Sequence, residues 1–329
     1  MSQVRRRNFL IAAAGLAALS LPAYAQQSKR VRRIGYFTLS NAKTDAARLA
    51  PFREGMAAMG WVEGRDYVID ARYGNGVVQT YPGLADDLVA AQPDVLLAAA
   101  DTPASLLGQR TKTMPIVMAA AQDPVGNRLV ASLNRPAGNI TGLTSLAREL
   151  GGKRLQLLKE AFPRVAHVAL LFEERSPSNI LQKQDIEKAA ASLKIRVTAI
   201  ELRQVADIEP AFKRGAALGV QAYMVAQTPI VTTAIQATVD HASRVKVPTI
   251  FPRDDFVESG GLMSYSASQS ESFRRAAGYV DKIFKGAKPG DLPIEQPTRF
   301  ELVLNLKTAK AMGFKFPQSI LVRADRVVE

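Results

Sequence analysis

The sequence predicts an α/β fold of two similar lobes, each a parallel sheet flanked by helices, joined by a multi-segment hinge. Three observations predict it. The apolar runs 95–100 and 116–121 are too short and too uniformly apolar for surface helices, and they fit strands buried on both faces of a parallel sheet. Each ends in a polar pair before a proline, Asp101-Thr102-Pro103 and Gln122-Asp123-Pro124, and each pair is followed by a helical pattern. Strand, polar loop, helix, repeated, is the order of a doubly wound sheet. The same order restarts after residue 164, with another polar pair before proline at Gln227-Thr228-Pro229.

The elements follow in order. Residues 33–38 form a first strand ending at Leu39-Ser40-Asn41, and Leu49, Phe52, Met56 and Met59 then recur at helical spacing. Pro51 is tolerable there only near a first helical turn. Gly60-Trp61-Val62-Glu63-Gly64 ends the helix, and 67–73 returns as a strand; Trp61 is expected to pack at the turn. Gly138-Asn139-Ile140-Thr141-Gly142 has the glycine spacing of a chain leaving one sheet. In the second half, strands 165–172, 195–202, 222–226 and 249–251 alternate with helices, and their ends carry Glu173, Gln227-Thr228 and Asp254. A helix over 271–284, a strand over 298–305 and a helix over 306–312 close the chain and are expected to complete both sheets. The expected division is 32–143 with 266–297 for one lobe, and 144–265 with 298–329 for the other.

Ligands of such sheets sit in the crevice beyond the carboxyl ends of the strands. Asp101, Thr102, Gln122 and Asp123 are therefore the first candidates for touching a small molecule, and the competing reading makes them helix N-caps. Other chemistries lack their residues. The chain of 329 residues has no cysteine and only two histidines, His167 and His241, so no metal site is expected. Gly74-Asn75-Gly76 fails as a dinucleotide fingerprint because Gln79 stands at the third glycine position, and Gly151-Gly152-Lys153-Arg154 lacks the first glycine and the Ser/Thr of a phosphate loop. No cofactor is expected. The formal charge of +13 is scattered among acids without a nucleic-acid motif, so no nucleic-acid partner is expected.

Residues 1–25 read as an export signal: Arg5-Arg6-Arg7, an apolar run over 9–21, and Ala23-Tyr24-Ala25 as the cleavage pattern, with cleavage after Ala25. Arg6-Arg7-Asn8-Phe9-Leu10 also resembles the twin-arginine motif; an ordinary secretory signal is the alternative. The apolar run is too short to span a bilayer comfortably. The expectation is a soluble periplasmic monomer.

Several segments together resemble one family: Phe52-Arg53-Glu54-Gly55-Met56, Asp123-Pro124-Val125-Gly126, Asn139-Ile140-Thr141-Gly142, Gly152-Lys153-Arg154-Leu155, Glu258-Ser259-Gly260-Gly261-Leu262-Met263-Ser264-Tyr265 and Pro297-Thr298-Arg299-Phe300-Glu301-Leu302. They resemble the substrate-binding proteins of ABC importers with the type I periplasmic-binding fold, in the branch that includes tryptophan and tyrosine receptors. The resemblance implies two Rossmann-like lobes, a three-segment hinge, a ligand in the cleft, and an ABC permease with its ATPase as partner. It places the first-strand loop at Ser40-Asn41, the third at Asp101-Thr102 and the fourth at Gln122-Asp123. Asp101 stands where relatives often have glycine, and Glu173-Glu174-Arg175 where many have a neutral turn.

The expected ligand is a small polar molecule, amino-acid-like or a small organic acid. Thr102, Ser40 and helix-start N–H groups would hold a carboxylate, Asp123 or Asp101 an ammonium, and Tyr265 would pack near the hinge. An enzyme working in the same cleft is the alternative, though no nucleophile–base pair supports it. A sugar-repressor-like regulator would need a DNA-binding head, where the chain has an export signal.

Overall fold

The computed structural model describes residues 30–329. The export signal expected at 1–25 lies outside them. Two sheets organise the rest.

The first sheet has five parallel strands in the order β2-β1-β3-β4-β5, with β1 Arg32–Thr38, β2 Tyr67–Tyr73, β3 Val95–Ala98, β4 Ile116–Ala121 and β5 Ile140–Thr144. Alternate strand residues feed opposite faces. Ile34, Tyr36, Val95, Leu97 and Val117 pack with one cluster, and Phe37, Leu96, Ala98, Ile116 and Met118 with the other. That two-sided burial is why these strands read as continuous apolar runs.

The second sheet has seven strands, β12-β11-β10-β9-β8-β6-β7, with β6 His167–Phe172, β7 Arg196–Glu201, β8 Ala222–Val225, β9 Thr249–Phe251, β10 Met263–Ala267, β11 Phe300–Asn305 and β12 Arg326–Val328. Its β7-β6-β8-β9-β10 portion repeats the order of the first sheet. Beyond it, β11 runs antiparallel to β10.

Three expectations need correction. The late strands do not complete both sheets: β10, β11 and β12 all join the second. The first instead receives a helix, Gln269–Phe284, whose Phe273, Ala276, Tyr279 and Val280 pack against Ile34 and Tyr36, plus an isolated bridge between Leu143 and Glu295. The chain thus passes between the sheets three times, after β5, after β10 and before β11. No helix follows Gln122-Asp123: residues 124–139 are turns and irregular chain up to β5, because Pro124, Gly126, Pro136 and Gly138 interrupt the apolar pattern. Pro51 lies well inside the helix α1, Ala42–Ala58, and is buried. Its missing N–H and ring clash cost about 3 kcal/mol in an isolated helix; here the packing of α1 against the helix Gln269–Phe284 overrides local propensity.

Gly142 has φ +129°, and a Cβ there would meet the Met118 carbonyl oxygen at 2.2 Å. Only glycine lets β5 approach β4 so closely, next to the register shift between Met118 and Ala121. Trp61 does pack at its turn, edge-on to Phe284 at 5.0 Å, with Nε1–H donating to Asp281 at 2.9 Å. Among the described residues no helix is long and apolar enough to cross a membrane.

Candidate functional site

In the strand order 2-1-3-4-5, connections leave strands 1 and 3 towards opposite faces, which opens a crevice at their carboxyl ends. Each sheet has such a point, at β1/β3 and at β6/β8. The two points contribute to one crevice. Thr38, Ser40, Asp101, Thr102 and Gln122 line it from the first sheet's loops, and Gln227, Thr232 and Arg253 from the second's. A continuation lined by Asp101, Thr102, Gln122 and Gln227 adds Glu173 and Arg175.

Asp101 is the first residue of the helix α3, Asp101–Arg110, counting Tyr81–Ala90 as α2. Its carboxylate is committed to the neighbouring loop: it accepts the Gln122 N–H at 2.6 Å, the Asp123 N–H at 3.4 Å and the Asn127 amide at 3.0 Å. Burial pushes its carboxyl up, and these donors oppose that. Asp101 thus fixes the lip carrying Gln122. The N-cap residue, Ala100, has no side-chain acceptor for the first turn, Pro103 has no N–H, and the Asp101 N–H donates to its own carboxylate, so the first-turn N–H left without an intrahelical acceptor is that of Thr102, a residue of the crevice wall.

Other candidates are placed differently. Asp123 does not line the crevice: its Oδ1 accepts the Gly126 N–H at 2.8 Å and its Oδ2 pairs with Arg148 at 3.4 Å, so it closes a turn and ties it to the first crossing. Thr228 is fully buried and caps the short helix Pro229–Thr233, accepting the Val231 N–H at 3.2 Å. Tyr265 belongs to the second sheet, stacked on Phe300 at 6.1 Å, away from the crevice. Asn41 caps α1 through the Thr44 N–H, and it shares with Asp254 the wall of an adjoining cavity. Asp254 pairs with Arg326 at 3.1 Å, and burial, then Asp255 and Glu258, push its carboxyl up to about 6.

A network of three side chains, Arg48, Arg253 and Asp255, escapes the sequence reading. Arg48 on α1 donates to Asp45 at 2.6 Å and, from the other lobe, to Asp255 at 2.8 Å. Arg253 also grips Asp255, through Nε at 3.1 Å and through a second nitrogen. Burial would raise Asp255, but Arg253 and Arg48 outweigh it and hold its carboxyl below the usual range. This network bridges the lobes at the crevice wall. Its signal was present: Asp45, Leu49, Phe52 and Met56 recur on one helix face, and an aspartate on a buried stripe needs a partner.

Arg154 is fully buried and takes no carboxylate partner among the described residues. It donates to the carbonyls of Tyr265 at 2.8 Å, Ala147 at 3.0 Å and Pro252 at 3.1 Å. It thereby ties the first crossing, the strand before the second, and the loop bearing Arg253. Burial lowers its pKa to about 10.

Two doubly wound lobes with facing loops around one crevice define a solute-binding class of protein. The family described as ABC transporter substrate binding protein matches residues 41–328, and the chain belongs to it. It is similar to the tyrosine-binding protein of Clostridioides difficile (strain R20291), 22% identical over 290 residues, 88% of this chain and 83% of that protein. A conserved domain protein of Vibrio cholerae is 25% identical in structure alignment, with a TM-score of 0.81 over 91% of this chain and 100% of that one. An ABC domain in complex with L-Trp from Streptococcus pneumonia is 24% identical, with a TM-score of 0.82 over the same shares. The chain is a binding protein rather than an enzyme, with the type I periplasmic-binding fold.

Proposed function

We propose that the chain is the receptor of an ABC importer, capturing a small polar solute, amino-acid-like or a small organic acid, between its lobes. The observation that carries this is the convergence of the β1/β3 and β6/β8 loops on one polar crevice. Ser40, Thr102 and Gln122 reach the solute from one lobe and Gln227 and Glu173 from the other. Closure about the three crossings is favoured only by contacts better in the closed state; Arg48–Asp255 is one such contact. The lobes are those expected from the sequence except that Ser266 and Ala267 go with the second, because β10 runs to Ala267: 32–143 with 268–297, and 144–267 with 298–329. The protein is exported, with cleavage after Ala25, and acts as a periplasmic monomer that a permease with its ATPase reads when closed.

Mass spectrometry of solute released on denaturing the purified protein, followed by calorimetry with that solute, tests the reading. One solute per chain with micromolar affinity is expected. An empty protein that also ignores amino acids and small organic acids would sink it. Export is tested separately: Arg6→Lys with Arg7→Lys should block periplasmic accumulation if the twin-arginine route is used.

A further inference from the structure

Glu173 is the first residue beyond β6, at the crevice point of the second lobe. Its backbone is held firmly. The Glu173 N–H donates to Asn179 Oδ1 at 3.4 Å, and the same buried Asn179 side chain donates to the Gln227 carbonyl at 3.3 Å. One amide thus fixes both loops that the second lobe presents.

The carboxylate of Glu173 is not matched in this way. Its Oε2 is buried and has no hydrogen-bond partner among the described residues. Burial raises the carboxyl pKa, and Arg175 only partly offsets this. Arg175 does not close the gap: its guanidinium donates to the Arg203 carbonyl at 2.6 Å, and it makes no hydrogen bond to Glu173 Oε2. A buried acceptor without a donor is costly and rare in a settled interior. Here it borders the crevice, where a donor can be delivered from outside the chain. Asp101, the nearest rival for a cationic group, already spends both oxygens on Gln122, Asp123 and Asn127.

The apolar part of the lining points to what else the solute carries. It consists of small and aliphatic residues, among them Leu39, Ala99, Pro103, Ala120 and Pro229, with Leu129 and Pro177 in the continuation. Among the described residues no aromatic side chain lines either space, so the lining described offers no ring for an indole or phenol to stack on.

We infer that the solute is a non-aromatic compound of the amino-acid type, whose protonated nitrogen is held by the unpartnered Glu173 carboxylate in the crevice between the lobes. This rests on the receptor reading and decides between the two solute classes left open there. Glu173 is the specificity-determining residue: it selects for the ammonium and against an organic acid of the same shape.

The test is calorimetry on the wild-type protein and Glu173→Gln. The panel is glycine, L-alanine, L-serine, L-leucine and L-tryptophan, each beside the acid lacking its amino group, with released solute identified by mass spectrometry. At least one non-aromatic amino acid should bind the wild type tenfold or more tighter than its deaminated counterpart. Glu173→Gln should lose that difference, because the amide keeps the shape but not the charge. Its melting temperature should hold or rise, since an unmatched carboxylate is removed. Equal binding of acid and amino acid, unchanged discrimination in Glu173→Gln, or a preference for L-tryptophan would overturn this inference and leave the receptor reading standing. No binding by any member, with no solute released, would remove both.

Discussion

Asp255→Asn should open the protein. Asp255 accepts from Arg48 of the opposite lobe at 2.8 Å and from Arg253 of its own, and its side chain is 17% exposed against 12% for Arg48. Only the Arg48 contact is lost when the lobes part. A hydrogen bond to a charged group contributes about 1.5–3 kcal/mol, so the closed state should lose about ten- to 150-fold in population relative to the open one. Solute affinity should fall by a comparable factor if closure is required for tight binding. Small-angle scattering of the solute-free variant should give a larger radius of gyration, and calorimetry a weaker dissociation constant. Arg48→Met is a poorer probe alone, because it strands Asp45, which is fully buried; combined with Asp255→Asn, it should show non-additive losses. The pH dependence is fixed in sign. Asp255 has a depressed folded-state pKa, so its contribution is present above the unfolded value near 3.9 and is lost as pH falls through the folded value. The bridge should therefore hold from neutral pH down to about 4. A variant with unchanged radius and affinity but a lower melting temperature would refute the reasoning and leave the pair a purely local tether.

Three further outcomes are expected. Arg154→Met takes its donors from the Tyr265 and Pro252 carbonyls, while Ala147 keeps the Gln182 amide at 2.7 Å, and urea denaturation should show a loss of about 3–5 kcal/mol. Asp254 has a raised pKa, so the stability linked to its proton is present below about 3.9 and lost as pH rises through about 6. Asp254→Asn should thus raise stability at pH 7 by about 1–3 kcal/mol, the upper end being the full shift and the lower allowing for the lost Arg326 charge pair, and thermal melts should show the gain vanish near pH 4. Asp123→Ala frees the Gly126 N–H and leaves Arg148 paired with Asp185; it should cost about 1–2 kcal/mol of stability in a melt while calorimetric affinity stays close to wild type.

The strands were legible because burial on both faces leaves a mark in the sequence. Residues 116–121 are six apolar side chains, and all six are buried. Loop ends were legible for the same reason, since a polar residue straight after such a run sits at the carboxyl edge of the sheet. That logic brings Ser40, Asp101, Thr102, Gln122 and Gln227 to one crevice. It cannot separate a side chain facing solute from one closing a turn, because Asp and Thr serve both purposes; Asp123 and Thr228 fell on the turn-closing side. The strand over 298–305 was legible as β11, but the sheet it joins was not, because β11 reaches β10 by an antiparallel return that no local pattern encodes. Asp45 on its buried stripe signalled a nearby partner, but the link from Arg48 to Asp255 was hidden because the two lie 207 residues apart in sequence.

The most direct measurement is amide hydrogen exchange with and without the solute released from the purified protein. The account predicts added protection at the start of the helix Asp101–Arg110 and around Gln122 in one lobe, together with Glu173 to Ser176 and Gln227 in the other. Protection confined to one lobe, or found only outside these loops at saturating solute, would contradict a solute held between them.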